Sequence, residues 1–315
     1  HRANLGSRWW NGQPQRSLMP SNSVHLHWFR RDLRLQDNQA LKLALNSGAK
    51  VQGIFIFDRN ILDKLENKQD ARVMFIHRTL QDLHHQLQVY GSGLKVYYGH
   101  PDQLWPQIVD EISVGHVFWN RDYEPYAQRR DQAVTALLQQ RGIEVTTASD
   151  HCLMEPGRVL KGDGTPYTVF TPYARRWREL ITGKDLQTVP ITDEENRKWA
   201  SQPKMALSIS LEDMGFQNAS IPWPELQINI NVLQKYAQQR DIPSLEGTSR
   251  LGLHLRFGTL SVRKLASKAI TLSDTFMNEL IWRDFYQSIL WHYPHTVDRA
   301  FKPAYDHIAW RNNPE

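Results

Sequence analysis

The sequence predicts an α/β domain, an open parallel five-stranded sheet with helices on both faces, followed by an all-helical region. Three observations predict it. Strand-like and helix-like stretches alternate regularly from Val24 to Ala148. The strand-like stretches are short, apolar and rich in β-formers. Strand signals then vanish, and from Asn231 onward helical periodicity dominates.

The elements follow in order. Val24–Phe29 is the first strand, and Gln39–Asn46 a helix that ends before Gly48. Val51–Phe57 is a continuous apolar run, too short for a helix, and reads as a buried strand. Asp70–Tyr90 carries Val73, Ile76, Leu80, Leu83 and Leu87 at helical spacing and stops at Gly91. Leu94–Tyr98, His116–Trp119 and Glu144–Ala148 read as strands. Pro101–Ile112 and Pro125–Arg141 between them read as helices, the second closed by Gly142. Thr165–Pro172 is rich in Pro and Thr and leads into a helix over Tyr173–Ile181. Residues 183–228 are polar, Pro-bearing and weakly periodic, the pattern of an interdomain linker. Asn231–Gln239, Ser261–Ile270 and Ser273–Tyr293 are helical, with a further apolar helical run over Leu251–Phe257. The expected division is a disordered leader over 1–23, an α/β domain over 24–182, the linker, and a helical region over 229–315. The chain begins with His, and Met19 reads as a natural start, so the leader is expected to be a tag or upstream read-through.

Composition narrows the function classes. The 315 residues include 38 basic and 33 acidic side chains, a net charge of +5 that suits a polyanionic partner without requiring one. Cys152 is the single cysteine, which excludes an intramolecular disulfide and a Cys-based zinc cluster. It fits a reducing compartment, and a cytoplasmic location is expected. No apolar run has the length of a membrane span, and no His-Glu pattern of a metal site occurs, so neither a membrane nor a metal is expected. The 11 tryptophans suit stacking on bases or electron relay, though most tryptophans in proteins are structural.

The richest segment runs from Phe276 to Tyr286 (FMNELIWRDFY). Glu279, Trp282, Arg283 and Tyr286 lie three and four apart, so they share one helix face. Rings beside charges suit a flat, polar, partly aromatic ligand such as a nucleobase or flavin. An amphipathic core helix with a charged rim has the same spacing. Gly91-Ser-Gly93 precedes a strand and lacks a third glycine, so no Rossmann nucleotide fingerprint is present. The run Trp28 to Asn38 (WFRRDLRLQDN) puts Arg30, Arg31 and Arg34 beside Asp32 and Asp37 after the first strand. Ligands of open α/β sheets bind at such strand ends, but a self-satisfied Arg–Asp network that pins the loop is the favoured reading. In Glu246 to Gly252 (EGTSRLG), Thr248 or Ser249 is an N-cap type residue before a helix, so free amides, hydroxyls and Arg250 could hold a phosphate; ordinary capping is the plain alternative. Tyr236 and Arg240 are i,i+4 neighbours, which by itself describes a surface pair.

Five ordered motifs resemble the photolyase/cryptochrome family over Val24–Glu315: WFRRDLRLQDN, Val169–Tyr173 (VFTPY), Gly247–Leu251 (GTSRL), Leu255–Gly258 (LRFG) and Asn278–Tyr286 (NELIWRDFY). The resemblance is closest to bacterial enzymes that repair cyclobutane pyrimidine dimers. It implies an antenna-type α/β domain and an all-α FAD-binding domain, here incomplete. It implies light-driven repair by electron transfer from excited reduced FAD to a dimer flipped out of damaged DNA. By the same resemblance, Tyr236, Thr248, Ser249, Arg250, Leu251, Gly252 and Phe276 contact FAD, together with Glu279 and Arg283. Glu279, Trp282, Arg283 and Tyr286 line the dimer pocket, and Arg240 contacts DNA. Glu279 acts in catalysis, and Trp310 is the solvent-end relay of an electron chain. Glu124 contacts an antenna chromophore, methenyltetrahydrofolate or a deazaflavin. Family precedent also implies a monomer.

Two departures qualify the resemblance. Gly252 stands where the family has Ser, an expected loss of about 1.5–3 kcal/mol of FAD binding. The family also continues beyond Glu315, so the chain is expected to hold one wall of the FAD pocket. The alternatives are a cryptochrome-like blue-light photoreceptor, a (6-4) photolyase, or an inactive fragment whose helical half exposes apolar faces.

Overall fold

The computed structural model describes residues 23–311. The leader expected over 1–23, Met19 included, lies outside the described residues except for Ser23. Five strands, β1 (Val24–Phe29), β2 (Val51–Asp58), β3 (Lys95–Gly99), β4 (Val114–Asn120) and β5 (Glu144–Ala148), form one sheet in the order β3-β2-β1-β4-β5. Every pairing is parallel, as the alternating pattern predicts. In the first half the helices are α1 (Gln39–Leu45), α2 (Arg59–Leu62), α3 (Ala71–Gln88), α4 (Pro101–Glu111) and α5 (Pro125–Gln140).

The two-residue period of the strands sorts the core into two layers. Phe29, Phe55, Phe57 and Phe118 face α1 and α3, whereas Leu26, Trp28, Ile54, Ile56, Val117 and Trp119 face α4 and α5. This is why β2 is buried along its whole length and reads as an unbroken apolar run.

The rest of the chain contains α6 (Phe170–Leu180), α7 (Asp193–Asn196), α8 (Ile230–Gln234), α9 (Tyr236–Gln239), α10 (Gly252–Phe257), α11 (Val262–Leu272) and α12 (Asp274–His292), of which α7 lies against the α/β half. The helix expected over Asn231–Gln239 is two short helices that meet at Lys235. Helix α6 starts at Phe170, three residues before the expected Tyr173, because Pro172 falls in the first turn, where its missing N–H has no intrahelical partner to lose. Ser261 and Ser273 cap α11 and α12 through their side chains.

The expected domain edges do not coincide with the packing. Tyr173, Ala174 and Trp177 of α6, with Leu153, Met154 and Val159, are buried in one core with α11 and α12, although they fall within 24–182. Conversely, Ile191, Trp199, Leu211, Met214 and Phe216 of the expected linker are buried against the sheet. The backbone of Val51 also bonds to Lys198 and Ala200. The chain thus passes through both cores twice, and 183–228 is a packed strap. Its buried apolar residues are too widely spaced to show a period, and others, such as Met205, Ile221 and Leu226, stay exposed.

The halves are joined by polar contacts around the loop after β1. Leu33 N donates to Phe257 O at 3.1 Å and Arg34 Nη1 to Gly258 O at 3.0 Å. Gly258 closes α10 in the left-handed region (φ 67°), and a Cβ there would sit 2.0 Å from Arg31 O, so only glycine allows this approach. Among the described residues no helix is long and apolar enough to cross a membrane.

Candidate functional site

The loop WFRRDLRLQDN is an ion-pair network. Arg30 pairs with Asp131, and Arg34 with Asp150. Asp32 accepts from Asn120 Nδ2 at 2.6 Å, from Asn38 Nδ2 at 3.1 Å and from Arg30 N at 2.7 Å. Its burial alone would raise its pKa; contact with His27 and these donors turns the net shift strongly downward. The favoured sequence reading, a self-satisfied loop, is what the geometry shows.

One end of this network borders a cavity of about 180 Å³ at the carboxyl ends of β1 and β2. Trp28, Phe57, Asp58, Glu124, Tyr126 and Arg256 are among its walls. Glu124, the predicted antenna residue, lies here. One of its oxygens accepts from Arg31 Nη1 at 2.8 Å and also from Arg256, so a guanidinium from each half holds it. Tyr126 donates to Asp58, and burial first, then that carboxylate, pushes its pKa up to about 12.

The other predicted residues gather around α12. Phe276 and Tyr236 are buried edge to face, ring centroids 4.9 Å apart, and the Arg240 guanidinium lies 5.2 Å over Tyr236. Arg240 also pairs with Glu279, so Tyr236, Arg240, Phe276 and Glu279 form one cluster across α9 and α12. Trp282 and Tyr286 form a second cluster. Trp282 is parallel to Phe170 of α6, centroids 3.6 Å apart and planes 5° apart, and Tyr286 stacks on it at 5.4 Å. The Tyr286 side chain is 58% exposed.

Arg283 shares the expected helix face but is turned into the seam between the halves. It donates to His151 O at 2.5 Å, and its Nη2 lies 2.9 Å from His151 Nε2. Arg31 Nη2 approaches the same nitrogen at 2.9 Å. Burial, then these two guanidiniums, holds the His151 pKa well below the usual value, so it serves as a neutral acceptor between two cations.

The segment from Thr248 to Gly252 departs from expectation in one respect. Neither Thr248 nor Ser249 caps α10; the N-cap is Leu251, without a side-chain bond. Ser249 Oγ accepts from Leu251 N at 3.3 Å instead, because Arg250 takes a left-handed conformation (φ 52°) that turns the chain before the helix starts. Arg250 pairs with Glu246 on the surface. Thr248 and Gly252 are exposed, and Leu251 is buried beneath them. Trp310 is 74% exposed, and among the described residues no aromatic ring packs on it.

Sequence reasoning missed Asp284. It is fully buried and accepts from Met154 N at 2.9 Å, Trp177 Nε1 at 3.1 Å and Leu153 N at 3.4 Å. Burial raises its pKa to about 6 against these donors and Arg283. A carboxylate on the apolar side of α12, among Leu280, Ile281 and Ser288, was the available signal. His151 had no comparable mark, and Phe170 was marked only as part of VFTPY. Among the described residues no group of three or more His, Cys, Asp or Glu converges as a metal site.

The sequence profile described as DNA photolyase matches residues 25–192, and that described as FAD binding domain of DNA photolyase matches residues 276–315. A deoxyribodipyrimidine photo-lyase of Synechococcus sp. is 32% identical over 312 residues; the match covers 91% of this chain and 64% of the relative. The chain thus spans slightly less than two thirds of that relative's length. Among solved structures, a class III photolyase of Agrobacterium tumefaciens superposes with a TM-score of 0.75 at 24% identity, covering 95% of this chain and 65% of the other. An archaeal photolyase of Sulfolobus tokodaii with two FAD molecules superposes with a TM-score of 0.67 at 24% identity, covering 92% and 64%. At that identity the two structures speak for the fold. With residues 25–192, just over half of the chain, matched by the family profile, the chain belongs to the DNA photolyase family.

Proposed function

We propose that the chain carries the dimer-recognition face and one cofactor wall of a light-driven lyase that repairs cyclobutane pyrimidine dimers in DNA. The observation that carries this reading is the surface of α12. It sets a stacked indole, Trp282, beside a carboxylate, Glu279, with an exposed phenol, Tyr286, on the same face. Such a face takes a base extruded from the stack, and a poorly stacked lesion costs least to extrude.

The residues present fit one wall of an FAD site. The amides that open α10 have no side-chain cap, Thr248 and Gly252 are exposed beside them, and Tyr236 with Phe276 offers an apolar backing. Thr248–Gly252 would hold the phosphates. Tyr236, Phe276, Glu279 and Arg283 would border the rings. When bound, the reduced flavin supplies the electron on illumination. Glu279 is positioned by Arg240 and can hydrogen-bond a base edge when that ion pair opens. Trp310, at the surface, would serve as the solvent end of a relay. The cavity beside Glu124 is the proposed antenna site, for methenyltetrahydrofolate or a deazaflavin. The second FAD of the Sulfolobus protein supports a two-chromophore reading. A monomer in the cytoplasm completes the proposal.

The first test is the visible spectrum of the purified chain after gel filtration, followed by illumination with a dimer-containing oligonucleotide. Retained flavin and light-dependent loss of dimers support repair. Retained flavin with photoreduction but no loss of dimers would favour a photoreceptor. Trp282→Ala is expected to weaken binding of the lesion strand by about 1–3 kcal/mol, read by anisotropy titration, the worth of one base–aromatic stack. Glu124→Ala should lower retention of added methenyltetrahydrofolate by about tenfold or more, because it removes a charged acceptor. Equal retention by both proteins would place the antenna elsewhere.

A further inference from the structure

The VFTPY motif has no role in the reading so far, yet its phenylalanine makes the closest ring stack in the site, at 3.6 Å and 5° to Trp282. Helix α6 is anchored on α12 along its length. Arg178 Nη2 donates to Asn278 Oδ1 at 2.9 Å and Arg178 Nη1 pairs with Asp274 at 2.8 Å. Trp177 Nε1 donates to buried Asp284, and Tyr173 packs on Phe285 with centroids 5.0 Å apart. Phe170, at the first position of α6, is therefore a ring held by a docked helix. Tyr286 is its opposite in character, mostly exposed and more loosely stacked on the same indole.

We propose that Phe170 is the positioning residue of the dimer site: it fixes the plane of the Trp282 indole, so that an extruded base can take the place of the exposed Tyr286 ring. The inference rests on the repair reading and deepens it by naming which ring is fixed and which yields. A stack lost from behind Trp282 leaves the indole free to turn about its side-chain torsions, and an incoming base then has to order it. Phe170 touches no ligand in this role; it acts through Trp282. Plain core packing predicts something different. It makes Phe170 matter for the stability of α6 and gives it no part in telling a lesion from intact DNA.

The test compares the 315-residue chain with F170L, F170Y and W282A. Each is titrated against two labelled oligonucleotides of one sequence, with and without a single thymine dimer, and melting temperatures are measured alongside. F170L is expected to reduce the preference for the dimer strand by up to about tenfold, while affinity for the intact strand stays level. F170Y, which keeps the ring, should retain the preference. Equal loss on both strands, or an unchanged preference in F170L where W282A loses it, overturns the positioning role and leaves the repair reading standing. If F170L unfolds, F170Y decides: a preference lost in F170Y at an unchanged melting temperature also overturns the role. No preference in the unaltered chain, or none lost in W282A, removes the repair reading itself.

Discussion

Replacing Arg263 by Met is expected to cost roughly 3–5 kcal/mol of stability, the typical result of removing one partner from a buried charge network. Arg263 comes from α11 and reaches two carboxylates of the α/β half. Its Nε donates to Asp37 Oδ1 at 3.0 Å and its Nη2 to Asp150 Oδ1 at 2.6 Å, with a further bond to Asp37 O at 2.8 Å. All three side chains are buried. Asp37 is a non-glycine residue in the left-handed region (φ 51°), held there also by Ser261 and by Val189 N. Without the guanidinium, Asp37 loses its only ion-pair partner among the described residues and Asp150 keeps only Arg34. R263K should recover part of the loss, because an ammonium restores the charge without the planar fork that reaches both acids. Urea unfolding measures the effect, and because the network spans both halves, R263M is also expected to split the transition into two. A shift below about 1 kcal/mol would mean that desolvation of these ions cancels their attraction.

The second large effect is a pH dependence owed to Asp284. Burial raises its pKa from the ordinary 3.8 to about 6 in the folded protein. The folded state therefore binds more protons than the unfolded state between those values. The stabilisation associated with the protonated group is fully present below about pH 3.8 and is lost as the pH rises through about 6. Buried carboxylates such as Asp32 and Asp122 have lowered pKa values and act in the opposite sense, so the test is differential. The stability of the unaltered chain minus that of D284N is expected to rise by roughly 2–3 kcal/mol from pH 7 to pH 4. Parallel curves for the two proteins would show that Asp284 is charged at no net cost, its three donors compensating for its burial.

Much of this fold is legible in the sequence because its signals are local. The short apolar runs of β1, β2 and β4, covered on both faces, and the helix periods of α3 and α12 arise from backbone geometry and burial. The Arg–Asp content of WFRRDLRLQDN announces a satisfied network by chemistry alone. The shared face of Glu279, Trp282 and Tyr286 follows from helical spacing, and so does the i,i+4 pairing of Tyr236 with Arg240.

Local signals along the chain thus specify the order of elements, the parallel sheet, the family motifs and the candidate face of α12. Long-range packing assigns each segment to its core. The apolar faces of α6 and of the 183–228 strap fit either core, and burial is indifferent to sequence order. It alone turned Arg263 onto Asp37 and Arg283 onto His151, moved the cap of α10 from Ser249 to Leu251, and set Phe170 behind Trp282. Each of these pairs is remote in sequence or depends on a backbone turn, and spacing along the chain carries no record of a partner reached through folding.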